Sequence, residues 1–219
     1  MIEVPKPTDG RPWAFVEPTA ACRFAVIVLH TSTNQIPDLT PYFQRSNLAA
    51  CMPFLPNSWW VKTAEQCVVE QVVPWMQNRW NLRPNGIAVL GVEMGGQGAV
   101  RLGFKYPELF PVVASLNGAF DFHDLYGHGT PLDELYTSRE RARQDTAVLN
   151  INPYRVPPHT WFGCDSESEW YRGNDRLDEK LNAYGLAHTA NLDLPADGGV
   201  AMMMAFVVNA LDTLSRKLL

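Results

Sequence analysis

The feature that most constrains the fold is an alternation of short apolar runs with longer helical patterns. The runs at residues 24–30 (FAVIVLH) and 87–92 (IAVLGV) are rich in β-branched residues, which is typical of buried central strands. Six runs are predicted to be strands: residues 24–30, 48–54, 87–92, 112–116, 160–164 and 189–194. Because parallel strands need a crossover between them, this order predicts βαβ units.

Helical patterns fill the spaces between these runs. Five segments are predicted to be helices: residues 63–80, 95–106, 139–149, 172–184 and 201–219. Pro74 is expected to kink the first, and Gly185 to cap the fourth at its carboxyl end. Strands with interposed helices predict an α/β protein with a mostly parallel sheet in a three-layer α/β/α sandwich. No linker or repeat divides the chain, so we expect a single domain over residues 1–219.

Composition excludes several classes of protein. The 219 residues are 46% hydrophobic and carry a formal net charge of −5, without a Lys/Arg cluster, which argues against nucleic-acid partners. No apolar run approaches the roughly 18 residues needed to span a bilayer. The start, MIEVPKPTDGRPW, lacks the basic and apolar stretches of a signal peptide. Four dispersed cysteines lack metal-ligand spacing. We therefore expect a soluble, cytoplasmic protein with buried free thiols.

The segment after the third predicted strand contains the strongest candidate site. Ligands of such sheets bind at the carboxyl ends of the strands. There the chain reads GVEMGG, with glycines two residues before and two after Glu93. Small residues at these positions allow a sharp strand-to-helix turn, which lifts one side chain above the sheet and directs the N–H of Met94 into an oxyanion hole. The pattern predicts a nucleophile elbow with Glu93 in strained or left-handed backbone.

A longer stretch, GVEMGGQGAVRLGFKYPELFPVVASLNG, resembles the α/β-hydrolase fold, specifically the putative-esterase group that includes esterase D-like enzymes, whose elbow reads G-x-S-M-G-G. Further segments resemble the family's S-W-W/Y, Y-P-x-x-F, post-acid and G-G-H motifs: residues 57–60, 106–110, 170–177 and 197–199. The matches run from about residue 24 to about residue 204. This resemblance implies hydrolysis of small acyl or carbohydrate-linked esters by a Ser, Asp and His triad.

The chain departs from that family pattern at the triad. The nucleophile position holds Glu93 and the histidine position holds Val200. We place the acid position at Ser168, with Asp165 as the alternative. We therefore predict a catalytically degenerate scaffold that acts as a binding or accessory protein. The alternative is an active carboxylic-ester hydrolase with a non-standard site centred on Glu93, and His123 is the one histidine that this hypothesis places near it.

Several other residues are candidates for lining a ligand site: Met94, His30, Thr31, Trp59 and Asp121. His30 could instead be a hydrogen-bonded core residue, because His30-Thr31-Ser32 lacks the glycines of the family's oxyanion loop. Two consecutive tryptophans at 59 and 60 cannot both point inward from extended chain, so one is expected to line the cleft.

The alternatives to an ester site at Glu93 are a structural role and a metal site. Glu93 could simply cap its helix, because a helix N-terminus favours a carboxylate. A metal site of Glu93, Asp121 and His123 is conceivable, but no ligand spacing supports it. We expect no metal and no cofactor. The expected partner is a small-molecule ester or related ligand, with no nucleic acid and no membrane, and the oligomeric state stays open.

Overall fold

A seven-stranded sheet forms the centre of the computed structural model, which describes residues 1–5, 10–195 and 198–216. The strands are β1 (Ile2–Glu3), β2 (Trp13–Val16), β3 (Ala25–Leu29), β4 (Gln35–Ile36), β5 (Ala49–Pro53), β6 (Ile87–Val92), β7 (Val112–Leu116), β8 (His159–Gly163) and β9 (Thr189–Asn191). The central sheet has the order β2-β5-β3-β6-β7-β8-β9, and β2 alone runs antiparallel to its neighbour. Strands β1 and β4 form a separate antiparallel pair.

Helices cover both faces of this sheet. They are α1 (Thr40–Ser46), α2 (Thr63–Cys67), α3 (Val73–Trp80), α4 (Met94–Lys105), α5 (Phe122–Leu125), α6 (Leu132–Leu135), α7 (Arg139–Gln144), α8 (Tyr171–Ala183) and α9 (Gly199–Arg216). A π-helical turn (Val68–Val72) joins α2 to α3, and a 3-10 turn (Ala147–Asn150) follows α7. The mostly parallel sheet with helices on both sides confirms the predicted α/β architecture.

The alternation of side chains along β3 divides the core into two layers. Ile27 and Leu29 face one layer, which contains α4, α8 and the α2–α3 helices. Val26 and Val28 face the other, which contains α1 and α9. All four side chains are fully buried, as expected for a central parallel strand covered on both faces. The carboxyl ends of the parallel strands are therefore left between the two helical layers.

The predicted strands agree with the observed ones best where the apolar runs are continuous. Strands β6 and β7 have the predicted bounds, and the other four predicted strands are one to three residues shorter or shifted at their ends. The prediction missed β1, β2 and β4. Strand β2 has only four residues and lies between Pro12 and Pro18, so its local pattern is too short to recognise.

Three of the five predicted helices differ from those observed by more than a one-residue shift of their ends. The kink expected at Pro74 takes the form of a π-helical turn directly before α3. Pro74 lies in the first turn of α3, where the N–H that proline lacks would have no partner within the helix. The predicted helix at 139–149 ends at Gln144, because Thr146 turns its hydroxyl onto the Phe120 carbonyl and the chain continues as the 3-10 turn. The last helix begins two residues earlier than predicted, and residues 217–219 lie outside the described residues.

The structure also bears on membrane association. Across the described ranges, no helix combines the length and the apolar character that crossing a bilayer requires.

Candidate functional site

The turn between β6 and α4 has the geometry of a nucleophile elbow. Glu93 lies between strand and helix with φ 51° and ψ −115°, a conformation that costs a residue other than glycine about 1–3 kcal/mol. A Cβ atom on Gly91 would lie 2.3 Å from the carbonyl carbon of Gly95. A Cβ atom on Gly95 would lie 2.1 Å from the carbonyl oxygen of Leu29. Only glycine fits at either position, and the predicted strained elbow is confirmed.

The loops after β6 and β8 and the start of α9 converge on the end of β7. The backbone N–H of Glu93 donates to the carbonyl of Leu116 over 3.0 Å. The N–H of Asp165 donates to the side-chain oxygen of Asn117 over 3.1 Å. A Cβ atom on Gly199 would lie 2.6 Å from the Leu116 side chain. The structure therefore brings the backbones of three predicted triad loops to a common point.

The Glu93 carboxylate is half-buried and has no hydrogen-bond or ion-pair partner among the described residues. Glu93 occupies the N-cap position of α4, but its carboxylate makes no capping hydrogen bond, so a side-chain cap does not account for this residue. Burial raises the pKa of Glu93 above its ordinary value, and the nearby negative charge of Glu169 raises that pKa further. A carboxylate pair without a counter-cation favours protonation of one member.

The side chains of both candidates for the acid position are hydrogen-bonded within their own loop. The Ser168 hydroxyl accepts a bond from the N–H of Trp170 over 3.2 Å. The Asp165 carboxylate accepts one from the N–H of Glu167 over 2.9 Å. No contact joins either side chain to Glu93 within the described part of the chain. The choice between Ser168 and Asp165 as the acid position stays a prediction.

Val200 lies in the first turn of α9. Its half-buried side chain packs against the core layer that contains this helix. The preceding Asp197, part of the predicted histidine loop, lies outside the described residues. An aliphatic side chain supplies no base, and the placement of the histidine position at Val200 stays a prediction.

His123 and Asp121 lie on α5 and at its start, and both line a cleft that does not include Glu93. The Asp121 carboxylate accepts a bond from Arg176 over 2.8 Å, and His123 is exposed. The structure does not bring His123 to Glu93 in the ranges it describes. Nor does it place three His, Cys, Asp or Glu residues there in an arrangement that could hold a metal ion.

His30 is a structural residue rather than a ligand-binding one. Its ring is fully buried, Nδ1 donates to the Thr31 carbonyl over 2.8 Å, and Nε2 accepts from the N–H of Leu55 over 3.2 Å. These two bonds fix the neutral tautomer. Burial lowers the pKa of His30, despite the backbone hydrogen bonds. The hypothesis that His30 binds ligand is therefore wrong.

Thr31 is likewise held by its own turn. It is 2% exposed, its N–H donates to the Gln35 carbonyl over 2.9 Å, and its hydroxyl accepts from the Gln35 N–H over 3.2 Å. Neither group of Thr31 is left for a ligand. The prediction that Thr31 lines the site is not supported by this geometry.

Trp59 and Trp60 are both buried, so the expectation that one lines the cleft is wrong. The segment is not extended, because both residues have positive φ, at 49° and 55°. The Trp60 indole donates to the His30 carbonyl over 3.2 Å, and the Trp59 carbonyl accepts from the Gln97 side chain over 2.8 Å. These bonds fasten the loop after β5 to β3 and α4.

Met94 begins α4 directly after Glu93, and its side chain is 1% exposed. Its backbone N–H is one of the first N–H groups of the helix, which have no partner within the helix. This N–H is the one predicted feature of Met94 that the elbow geometry leaves available to a ligand.

Sequence reasoning missed three residues that shape the site. The negative charge of Glu169 raises the pKa of Glu93, and Asn117 accepts a bond from the N–H of Asp165. The fully buried Asn174 donates to the carbonyls of Gly118 and Trp170 over 2.9 and 2.8 Å. The one available signal was for Asn117, because asparagine tolerates the left-handed conformation (φ 49°) that ends β7. Glu169 and Asn174 act across loops that no local pattern connects.

Comparison with known proteins supports the same scaffold. The sequence profile of the family described as "Putative esterase" matches residues 25–189. The diacylglycerol acyltransferase/mycolyltransferase Ag85C of Mycobacterium leprae (strain TN) is 37% identical over 54 residues, which are 25% of this chain. The matched stretch spans only 16% of that relative's length.

Solved structures share the fold at low sequence identity. An S-formylglutathione hydrolase from Agrobacterium tumefaciens superposes with a TM-score of 0.71 at 14% identity, over 91% of this chain and 87% of that one. MPT51 (FbpC1) of Mycobacterium tuberculosis superposes with a TM-score of 0.62 at 16% identity, over 96% and 97% of the two chains. At these identities the likeness establishes the fold alone.

Proposed function

This chain belongs to the Putative esterase family of α/β-hydrolases, and on that premise we propose that it binds a small ester or related ligand without hydrolysing it. The elbow of the scaffold is intact, while Glu93 stands where the family's nucleophile is expected. The observation that carries the proposal is the half-buried Glu93 carboxylate, which has no bonded partner among the described residues and whose pKa the negative charge of Glu169 raises further.

The chemistry of acyl transfer argues against a nucleophilic Glu93. A carboxylate can form a covalent intermediate, but the resulting glutamyl ester still needs a base to activate water. Val200 cannot provide one, and His123 lies on a different cleft. The raised pKa of Glu93 also reduces the fraction of the reactive carboxylate at a given pH.

Stabilisation of an oxyanion is also impaired. The charge that develops on an ester carbonyl in the transition state needs N–H donors aimed at it, and losing one donor typically costs about 100- to 1,000-fold in turnover. A second donor beside the Met94 N–H would come from the loop after β3, where the Thr31 N–H is already bound to the Gln35 carbonyl. An ionised Glu93 would repel the developing charge directly.

Covalent labelling tests this proposal. Fluorophosphonate probes react with activated serines, and the wild-type protein is expected to remain unlabelled because no serine occupies the elbow. The positive comparison is the triple variant Glu93→Ser with Val200→His and Ser168→Asp, which should label at position 93. The matched control keeps Glu93 and carries only Val200→His and Ser168→Asp, and it should not label.

The outcomes separate two possible errors. Labelling of the wild-type protein at Ser32, Ser58 or Ser168, located by mass spectrometry, would reveal a relocated nucleophile and contradict the proposal. A folded triple variant that fails to label would show instead that the acid and histidine positions are misplaced. Single replacements should do almost nothing, because the members of a triad act as a unit.

A further inference from the structure

A cleft of about 710 Å³ lies between α5, the 3-10 turn after α7, and α8, and Glu93 is not among its lining residues. We call it the α8 cleft. Its apolar lining includes the almost fully buried residues Phe120 and Phe122 and, on the 3-10 turn, the more exposed Val148 and Leu149. Leu149 is 44% exposed, which leaves apolar surface open to a ligand. The volume falls in the range of small-molecule sites.

One wall of the α8 cleft carries a row of cations. Arg172, Arg176 and Lys180 recur at every fourth residue of α8 and all three line the cleft. Side chains at this spacing lie one above the other on one helix face, where like charges destabilise the helix by about 0.2–0.5 kcal/mol per pair. Helix stability therefore does not explain the row.

The row is only partly compensated by carboxylates. Arg176 pairs with Asp121 at 2.8 Å, and Arg172 with Asp124 at 3.5 Å, both from α5 and the residue before it. Lys180 has no carboxylate partner among the described residues, and its ammonium lies 5.5 Å from the centre of the Tyr184 ring.

The remaining charged groups of the α8 cleft leave Lys180 as its unpaired cation. Arg143 lines the opposite wall, and its guanidinium is bound by Glu140, at 2.7 Å. Glu179 lines the cleft beside Lys180, and His123 is the further titratable group of the lining. With Glu140 included, four cations stand against four carboxylates, and Lys180 is the lining cation to which no carboxylate of the described residues is bound.

We propose that the α8 cleft binds a small amphiphilic carboxylate, with its apolar body against Leu149 and Val148 and its anionic head at Lys180. Charge complementarity selects an anion, because Lys180 is the cation without a carboxylate partner. The apolar lining selects a ligand with an aliphatic or aromatic body over a simple inorganic anion. This site is separate from the elbow, so it does not rest on the proposed function of Glu93.

Calorimetric titration tests the proposal with three matched ten-carbon probes. Decanoate, decylammonium and decan-1-ol are titrated at pH 7 below any micelle formation. Decanoate is expected to bind saturably and at least about tenfold more tightly than decylammonium, with decanol between them. Absence of saturable decanoate binding, or equal affinity for the anion and the cation, would overturn the proposal.

Substitutions locate the binding. Lys180→Gln should weaken decanoate about two- to fivefold, the size expected of one exposed charge pair. Leu149→Asp should weaken it at least about tenfold, because it removes apolar contact and adds repulsion; since Leu149 is partly exposed, this variant should fold. Arg83→Gln, an exposed cation outside the cleft, should leave the affinity unchanged. Unchanged affinity in Lys180→Gln and Leu149→Asp, or weakened binding in Glu93→Gln, would place decanoate elsewhere and overturn the proposal.

Discussion

The two ends of α4 present two glutamates in opposite circumstances. Near the carboxyl end, Glu65 from α2 is 4% exposed in its side chain and bonds to Arg101, at 2.5 Å, to Lys105, and to the Tyr106 hydroxyl, at 2.7 Å. At the amino end, Glu93 is half-buried with no bonded partner among the described residues and with Glu169 as its charged neighbour.

The difference appears in the direction of each pKa. Burial alone would raise the pKa of Glu65, but the hydrogen bonds from Lys105, Tyr106 and Arg101 and the charge of Arg101 outweigh it and lower that pKa. At Glu93, burial and a like charge both raise the pKa. A buried charge is tolerated when it is paired and costs stability when it is not. Stability therefore explains Glu65 and does not explain Glu93.

The largest loss of stability is expected from substituting Glu65, the glutamate that is paired with cations. Glu65→Gln leaves the guanidinium of Arg101, which is 8% exposed, with only Asp145 as a carboxylate partner, at 2.9 Å. Breaking a buried pair in this way should lower the free energy of unfolding by about 3–5 kcal/mol, measured by urea denaturation. Glu140→Gln breaks an exposed pair with Arg143 and is the control, for which little change is expected. Equal effects of Glu65→Gln and Glu140→Gln would show that burial of the ion pair does not determine its contribution to stability.

A somewhat smaller loss of stability is expected from a steric clash introduced into the elbow. Gly95→Ala would place Cβ 2.1 Å from the Leu29 carbonyl oxygen, and backbone cannot move aside as a flexible side chain can. We expect a loss of about 2–3 kcal/mol in the free energy of unfolding. Gly173→Ala in α8 is the matched control: its nearest neighbours would lie at 3.2 Å, and alanine favours the helix. A tolerated Gly95→Ala would show that the elbow is looser than its contacts indicate.

The smallest expected effect is the contribution of Glu93 to the pH dependence of the free energy of unfolding. Because its folded-state pKa is raised, the ionised carboxyl costs stability, and this cost grows as pH rises from 4.5 through the folded-state pKa. Glu93→Gln should therefore equal the wild type in stability at acidic pH and exceed it by less than about 1 kcal/mol at pH 7, since the group is partly solvated.

Glu65→Gln serves as the opposite case for that pH series. The folded-state pKa of Glu65 is lowered, so its contribution is present above pH 4.5 and lost as pH falls through the folded-state value. The wild type should exceed Glu65→Gln at pH 7 and approach it on acidification. Parallel rather than opposite trends in urea-unfolding series of the two variants would refute the assignment of the pKa directions.

Local patterns predicted the parts of this fold that local sterics determine. Strands β6 and β7 are short, mostly apolar runs that are buried along their whole length, and their bounds were correct. The elbow was predictable because the two glycines that surround Glu93 contact their own turn and the adjacent strand. Strand β2 was missed because four residues between prolines carry too little pattern, although pairing with β5 stabilises it in the sheet.

The contacts around Glu93 could not be predicted in the same way. The charge of Glu169 acts on Glu93 although the two residues are far apart in the sequence, so no local pattern indicates this interaction. His123 follows the strand next to the elbow and was a reasonable neighbour, yet α5 places it in the α8 cleft. Trp59 and Trp60 were assumed to lie in extended chain, and their positive φ values reversed the conclusion about exposure.

The most direct test of the account is the rate of p-nitrophenyl acetate and butyrate hydrolysis by the wild-type protein beside Glu93→Gln. If an uncompensated carboxylate at an intact elbow prevents acyl transfer, both proteins should match the uncatalysed rate at every substrate concentration. Saturable turnover by the wild-type protein would contradict the account, and its loss in Glu93→Gln would assign that turnover to Glu93.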